Sequence, residues 1–171
     1  MMKRMLDGSF RFLLYGVIGF LLERVINLVA FGTWFDNSVL FGPVQPMYAV
    51  GMMGAVWAHQ RLPKTSWGIG GRLGLVYLFT AGSEWVSGTA YFWLTGRNLW
   101  DYRNTFSFCQ GPYTCFVPTA IFAGLALVFA MVVAPLLKPL EKRFPVILKT
   151  LLVGLFILDI LLTYGGLYAA R

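Results

Sequence analysis

The sequence predicts an all-α bundle of membrane-spanning helices, and composition, segment length and charge asymmetry each point that way. Of its 171 residues, 58% are hydrophobic, 17% aromatic and only 12% charged, where a soluble domain carries about 25% charged residues. A water-soluble fold of this size has too much surface for its volume to hide so many apolar side chains. Apolar segments of spanning length recur along the chain, since a membrane helix needs about 20 such residues. The net charge of +7 lies between these segments and forms no contiguous basic face, which argues for anionic lipid headgroups and against nucleic acid.

Five transmembrane helices are expected, at about 10–31, 39–58, 72–94, 116–137 and 146–170, within a single membrane domain over 1–171. The first follows Met1-Met2-Lys3-Arg4 and contains Glu23-Arg24. It exceeds the roughly 7–15 apolar residues of a signal-peptide core and lacks a small-residue cleavage pattern, so it reads as a retained span. Trp34 beyond its end suits an interfacial belt. The second segment opens Phe41-Gly42-Pro43-Val44-Gln45-Pro46, and two prolines three residues apart cannot continue a helical ladder. An irregular entry is expected, then a clean helix from about Met47; irregular backbone at membrane depth requires cover by protein or a wet cavity. The third span is interrupted by Gly82-Ser83-Glu84, the fourth opens at Pro118 and meets Pro135 and Pro139, and the fifth carries Asp159. Trp67-Gly68-Ile69-Gly70-Gly71 reads as a flexible cytoplasmic turn and not a phosphate loop, because no Gly-Lys-Ser/Thr follows.

Basic residues set the orientation. Lys3, Arg4, Arg11, Arg61, Lys64, Arg72, Lys138, Lys142, Arg143 and Lys149 fall on one side, against Arg97, Arg103 and Arg171 on the other. By the positive-inside rule the N-terminus is cytoplasmic and the C-terminus extracytoplasmic.

Charges at mid-bilayer cost about 2.5–3.5 kcal/mol on insertion scales, so Glu23, Arg24, Glu84 and Asp159 each need a partner. The three carboxylates fall at similar depth in their spans, at about 1.5 Å per residue. They read either as an ion-binding or substrate-binding site or as structural ties between helices. Glu23 and Arg24 point about 100° apart and make a poor pair with each other, so Arg24 is expected at Asp159 or at the interface. One polar pocket is expected where Glu23, Glu84, Gln45 and Tyr48 meet beneath the outer Trp100-Asp101-Tyr102 loop, with Asp101 a further candidate on the path. Cys109 and Cys115 flank Gly111-Pro112 in that loop. A structural disulfide is the leading reading in an oxidising compartment, ahead of free thiols and of a redox pair. His59 reads as an interfacial residue, since no partner stands at metal-like spacing. No metal, cofactor or catalytic constellation is expected.

Several of these motifs in order resemble one bacterial membrane family, named "putative ABC-transporter permease" of the CmpB type. They are Gly19-Phe20-Leu21-Leu22-Glu23, Gly42-Pro43-Val44-Gln45-Pro46-Met47-Tyr48 with Gly51, Ser83-Glu84-Trp85, Trp100-Asp101-Tyr102 and Asp159. The resemblance covers roughly residues 10 to 165. It implies a transport subunit of a bacterial cytoplasmic (inner) membrane, and Arg24, Pro43, Pro46, Trp100 and Tyr102 read as structural residues beside the acidic ones. The chain departs from the family at Phe106-Ser107-Phe108, Gly111-Pro112-Tyr113 and Pro118-Thr119, which makes the cysteine pair a local feature. The inner loops, about 59–71 and 138–145, are short and lack the Glu-Ala-Ala…Gly pattern by which importer permeases meet an ATPase. A non-transporting scaffold or accessory subunit, partnered by other membrane proteins or by copies of itself, is therefore the competing expectation.

Overall fold

The computed structural model describes residues 1–34, 39–62, 65–103 and 108–169. Five continuous helices account for most of them: α1 (Met2–Phe31), α2 (Pro46–Arg61), α3 (Ser66–Thr95), α4 (Phe116–Arg143) and α5 (Val146–Ala169). Lys64, Asn104, Phe106, Ser107, Ala170 and Arg171 lie outside the described residues.

Among the described residues the fold is all-helical, but three helices, not five, are long and apolar enough to cross a membrane: Met2–Val29, Phe116–Arg143 and Val146–Gly166. The expectation of five fails this criterion at two places for different reasons. Helix α2 has 16 residues, which at about 1.5 Å each falls short of a hydrocarbon core of roughly 30 Å. Helix α3 has 30 residues, but six are glycine and it also carries Arg72, Ser83, Glu84 and Ser87.

Local chemistry explains the helix ends. Helix α1 stops at Gly32, whose φ of 67° lets its N–H close on the Leu28 carbonyl, a left-handed end that glycine adopts without Cβ strain. The glycine-rich stretch expected as a flexible turn is instead the first turns of α3. The Thr65 hydroxyl accepts from Gly68 N–H at 3.2 Å, satisfying one of the orphan donors that would otherwise unravel a glycine-rich start. Helix α4 runs six residues past its expected end, straight through Pro135 and Pro139. A π-helical turn at Phe129–Val133, in which Ala134 N–H reaches back to the Phe129 carbonyl, lies just ahead of these prolines. Such a bulge absorbs local disruption without ending the helix.

The chain divides into two compact units, Met1–Ala49 with Lys138–Arg171, and Val50–Leu137. In the first, Leu13, Leu40 and Val44 are buried beside Val17, Leu152, Val153, Phe156, Ile160 and Tyr164, so α1, the 40–44 segment and α5 share one core. The end of this unit holding the α1 start is tied by charge. Arg11 forks onto Glu141 at 2.9–3.1 Å, and Lys149 Nζ meets Asp7 at 2.5 Å. In the second unit the core is alanine-rich: Ala55, Ala58, Val76, Ala123, Ala126 and Ala130. Small residues let membrane helices approach closely where lipid supplies no hydrophobic drive. Buried Arg72, one of the basic residues counted for orientation, donates to the Leu62 carbonyl at 2.9 Å at the C-terminal end of α2.

Candidate functional site

The proline-broken approach to α2 is the best-organised polar feature of the first unit. Pro43 and Pro46 deny residues 41–45 a helical ladder, so their backbone groups find other partners. Phe41 N–H donates to Asp159 Oδ1 at 3.0 Å and Gly42 N–H to Oδ2 at 2.8 Å. Thr163, one turn on along α5, donates its hydroxyl to Oδ1 at 3.2 Å. Val44 N–H returns to the Gly42 carbonyl at 2.8 Å, and Gln45 N–H donates to the Gly16 carbonyl at 3.0 Å. The Gln45 side-chain amide donates to Glu23 Oε2. Asp159 thus clasps the segment from α5 while Gly16 and Glu23 hold it from α1.

Glycines decide how close this approach is. A Cβ on Gly19 would stand 2.2 Å from the Tyr48 Cβ, and one on Gly16 would stand 2.6 Å from a Val44 methyl. Gly16, Gly19 and Glu23 recur at three- and four-residue spacing, so they form one stripe of α1 facing the broken segment. Glu23 is half-buried. Tyr48 is buried, with its ring on Gly19.

Asp159 binds backbone N–H groups of Phe41 and Gly42 and the Thr163 hydroxyl. Arg24 takes the interfacial alternative: its guanidinium lies 4.2 Å from the Phe20 ring centre and 5.8 Å from that of Trp34, a cation–π setting that a weakly hydrated guanidinium favours.

Glu84 belongs to the second unit. It is 2% exposed and accepts from the Thr119 hydroxyl at 2.6 Å. Thr80, one turn earlier, is fully buried and donates to the Val76 carbonyl. A hydroxyl on the facing helix is a usual means of satisfying a polar group in a membrane bundle.

The Trp100–Tyr102 loop is fastened to the start of α4. Trp100 Nε1 donates to the Tyr113 carbonyl at 3.0 Å, Tyr102 N–H to the Pro112 carbonyl at 2.9 Å, and the Tyr113 hydroxyl to Asn98 Oδ1 at 2.8 Å. The Tyr113 ring fills the space over Gly88, where an added Cβ would stand 2.4 Å from it. Cys109 and Cys115 are joined by a disulfide, and Gly111 between them takes φ 99°. Asp101, offered above as a lining residue, is engaged by its neighbour: Arg103 binds it through backbone N–H at 3.0 Å and guanidinium at 2.5–3.1 Å. Those hydrogen bonds hold the Asp101 carboxyl below its ordinary range. A depressed folded pKa means the tie is complete at neutral pH and is lost only as pH falls through that lowered value. The Arg103 amide resonance should therefore stay fixed from pH 7 down to about pH 4. A midpoint above pH 4 would contradict the pairing.

Sequence reasoning missed Thr119, whose only signal was a hydroxyl just inside an apolar helix, and the Arg11–Glu141 and Asp7–Lys149 pairs, whose signal was the rarity of acidic residues. Among the described residues, no group of three or more His, Cys, Asp or Glu side chains is placed to hold a metal ion.

No curated protein and no solved structure matches the chain. The family model described as "Putative ABC-transporter type IV" matches residues 10–164. That span includes Gly19, Glu23, the Gly42–Tyr48 segment, Glu84, the Trp100–Tyr102 loop and Asp159, and on it the chain belongs to this ABC-transporter family.

Proposed function

We propose that this chain is a permease-like membrane subunit of a transport system, without catalytic chemistry of its own, and that Glu23 with Gln45 forms its intramembrane acidic site. The observation that supports this reading is the Glu23–Gln45 contact at the proline-broken segment. Irregular backbone, a carboxylate and a side-chain amide meet there, the combination with which broken membrane helices bind small polar cargo. Both cysteines of the chain are joined to each other, so a Glu23→Cys variant carries the sole free thiol. A charged, water-soluble maleimide should modify it much faster than it modifies Glu84→Cys or lipid-facing Leu21→Cys. Labelling at position 23 no faster than at position 21 would remove the site.

A second reading has its own support. Asp159 is saturated by backbone and hydroxyl donors, and Glu84 is buried against Thr119; both suit a scaffold or accessory subunit whose polar residues lock helices together.

We place the chain in a bacterial cytoplasmic membrane with its N-terminus inside and C-terminus outside. Both span counts satisfy that arrangement, because α2 and α3 form a hairpin that crosses as a pair or stays out as a pair. We infer that both cross, which puts Arg61, Lys64 and Arg72 in the cytoplasm as the positive-inside rule prefers. Reporter fusions at Lys64 and Asn104 should then report opposite compartments. The same compartment from both leaves three crossings.

A further inference from the structure

The stripe of α1 that faces the broken segment continues one turn past Glu23, to Asn27. Gly16, Gly19, Glu23 and Asn27 follow one another by three, four and four residues. At about 100° per residue, all four fall within an arc of about 80°. Asn27 is 6% exposed, and its amide Nδ2 is buried without a hydrogen-bond partner among the described residues. A helical side chain leans toward the N-terminus and covers the turn before its own Cα, which for Asn27 is the turn of Glu23. A buried amide that donates to nothing destabilises the fold, and in hydrocarbon no bulk water replaces the missing acceptor. Packing therefore gives no reason for an amide at this position, where leucine would fill the space without that cost.

We propose that Asn27 is a second anchor of the Glu23–Gln45 site, and that its cargo is a small amino-acid-like zwitterion, ammonium on Glu23 and carboxylate on Asn27. The proposal rests on Glu23 with Gln45 being the acidic site. The Glu23 carboxylate, already an acceptor for the Gln45 amide, suits an ammonium donor. Asn27 Nδ2 can only donate, so whatever meets it supplies an acceptor, and an anionic oxygen makes the stronger bond. The two side chains stand one turn apart, about 6 Å along the axis. Their ligand must therefore carry donor and acceptor a few bonds apart. A small zwitterion does so with no net charge, which lowers the cost of entering at membrane depth.

Ligand-observed NMR of the full chain in lipid nanodiscs, titrated with glycine, ethylamine or acetate, tests this. Ethylamine lacks the carboxylate and acetate lacks the ammonium. The native chain should bind glycine about tenfold more tightly than either, the discrimination of one hydrogen bond to a charged group. Asn27→Leu should bring glycine down to the ethylamine level and leave ethylamine unchanged. Asn27→Asp, nearly the same shape, should weaken glycine further by repelling its carboxylate, again without loss of ethylamine. If Asn27→Leu unfolds early, Asn27→Asp carries the comparison. Glu23→Gln should weaken both amines. Equal binding of glycine and ethylamine by the native chain would overturn the proposal, by showing that a water satisfies Asn27, and would leave the Glu23 site standing. A glycine preference that survives both Asn27 variants would also overturn it, as would acetate bound as well as glycine. Binding of none of the three would remove the zwitterion; maleimide labelling at position 23 then decides separately whether the acidic site stands.

Discussion

Replacing Asp159 with leucine is expected to destabilise the protein by about 2–4 kcal/mol. Its carboxylate satisfies two successive backbone N–H groups, of Phe41 and Gly42, that the neighbouring prolines exclude from any helical ladder. Each donor left without a partner costs roughly 1–3 kcal/mol, and more in hydrocarbon, where no water can replace the lost oxygen. The Phe41 side is exposed, so an interfacial water can repair part of its loss, which keeps the total below the sum of two buried donors. Asp159→Asn retains one acceptor oxygen and should lose about half as much. Denaturant or thermal unfolding in bicelles would show the order native, Asn, Leu. A leucine variant as stable as the native chain would mean that the clasp is not made.

The second large effect is steric. Gly19→Ala should cost about 1–3 kcal/mol or more, because its Cβ would lie 2.2 Å from the Tyr48 Cβ and 2.8 Å from the Tyr48 Cγ. The Tyr48 Cβ is fixed to the backbone and cannot rotate away. Gly16→Ala meets the tip of Val44 at 2.6 Å, which a rotamer change can relieve, so its cost should be smaller. Gly154→Ala in α5 meets nothing within 4 Å and should be neutral or gain up to about 1 kcal/mol from helix propensity. The clash also makes an unusual rescue prediction. Tyr48→Ala keeps the offending Cβ and should not restore Gly19→Ala, whereas Tyr48→Gly should. Equal costs at positions 16, 19 and 154 would refute the close approach of the Tyr48 turn to α1.

What the sequence made legible was local. Pro43 and Pro46 require a broken segment, and α2 begins at Pro46 because proline is tolerated at the first helical position and not inside. Glu23 and Gln45 were legible as polar residues in need of partners, and they found each other. The misreadings came where context outweighs composition. Thr65 turned a glycine-rich loop into helix, and a π turn carried α4 past two prolines, neither of which a count of breakers reveals. Of the two places open to Arg24, it takes the interface, since two backbone donors on a proline-broken segment suit the Asp159 carboxylate as well as a guanidinium does. Partners far apart in the chain, such as Arg11 with Glu141 or Glu84 with Thr119, leave no signal in spacing and appear only when the helices are placed.

Asp159 from α5 and Gly16 with Glu23 from α1 hold the irregular 41–45 segment in one defined conformation. Amide hydrogen exchange over residues 40–45 of the reconstituted protein tests it most directly. Exchange is expected to be slow at Gly42, Val44 and Gln45, with Gly42 accelerated in Asp159→Asn while α3 is unaffected. Exchange at free-peptide rates across 40–45 in the native protein would contradict it.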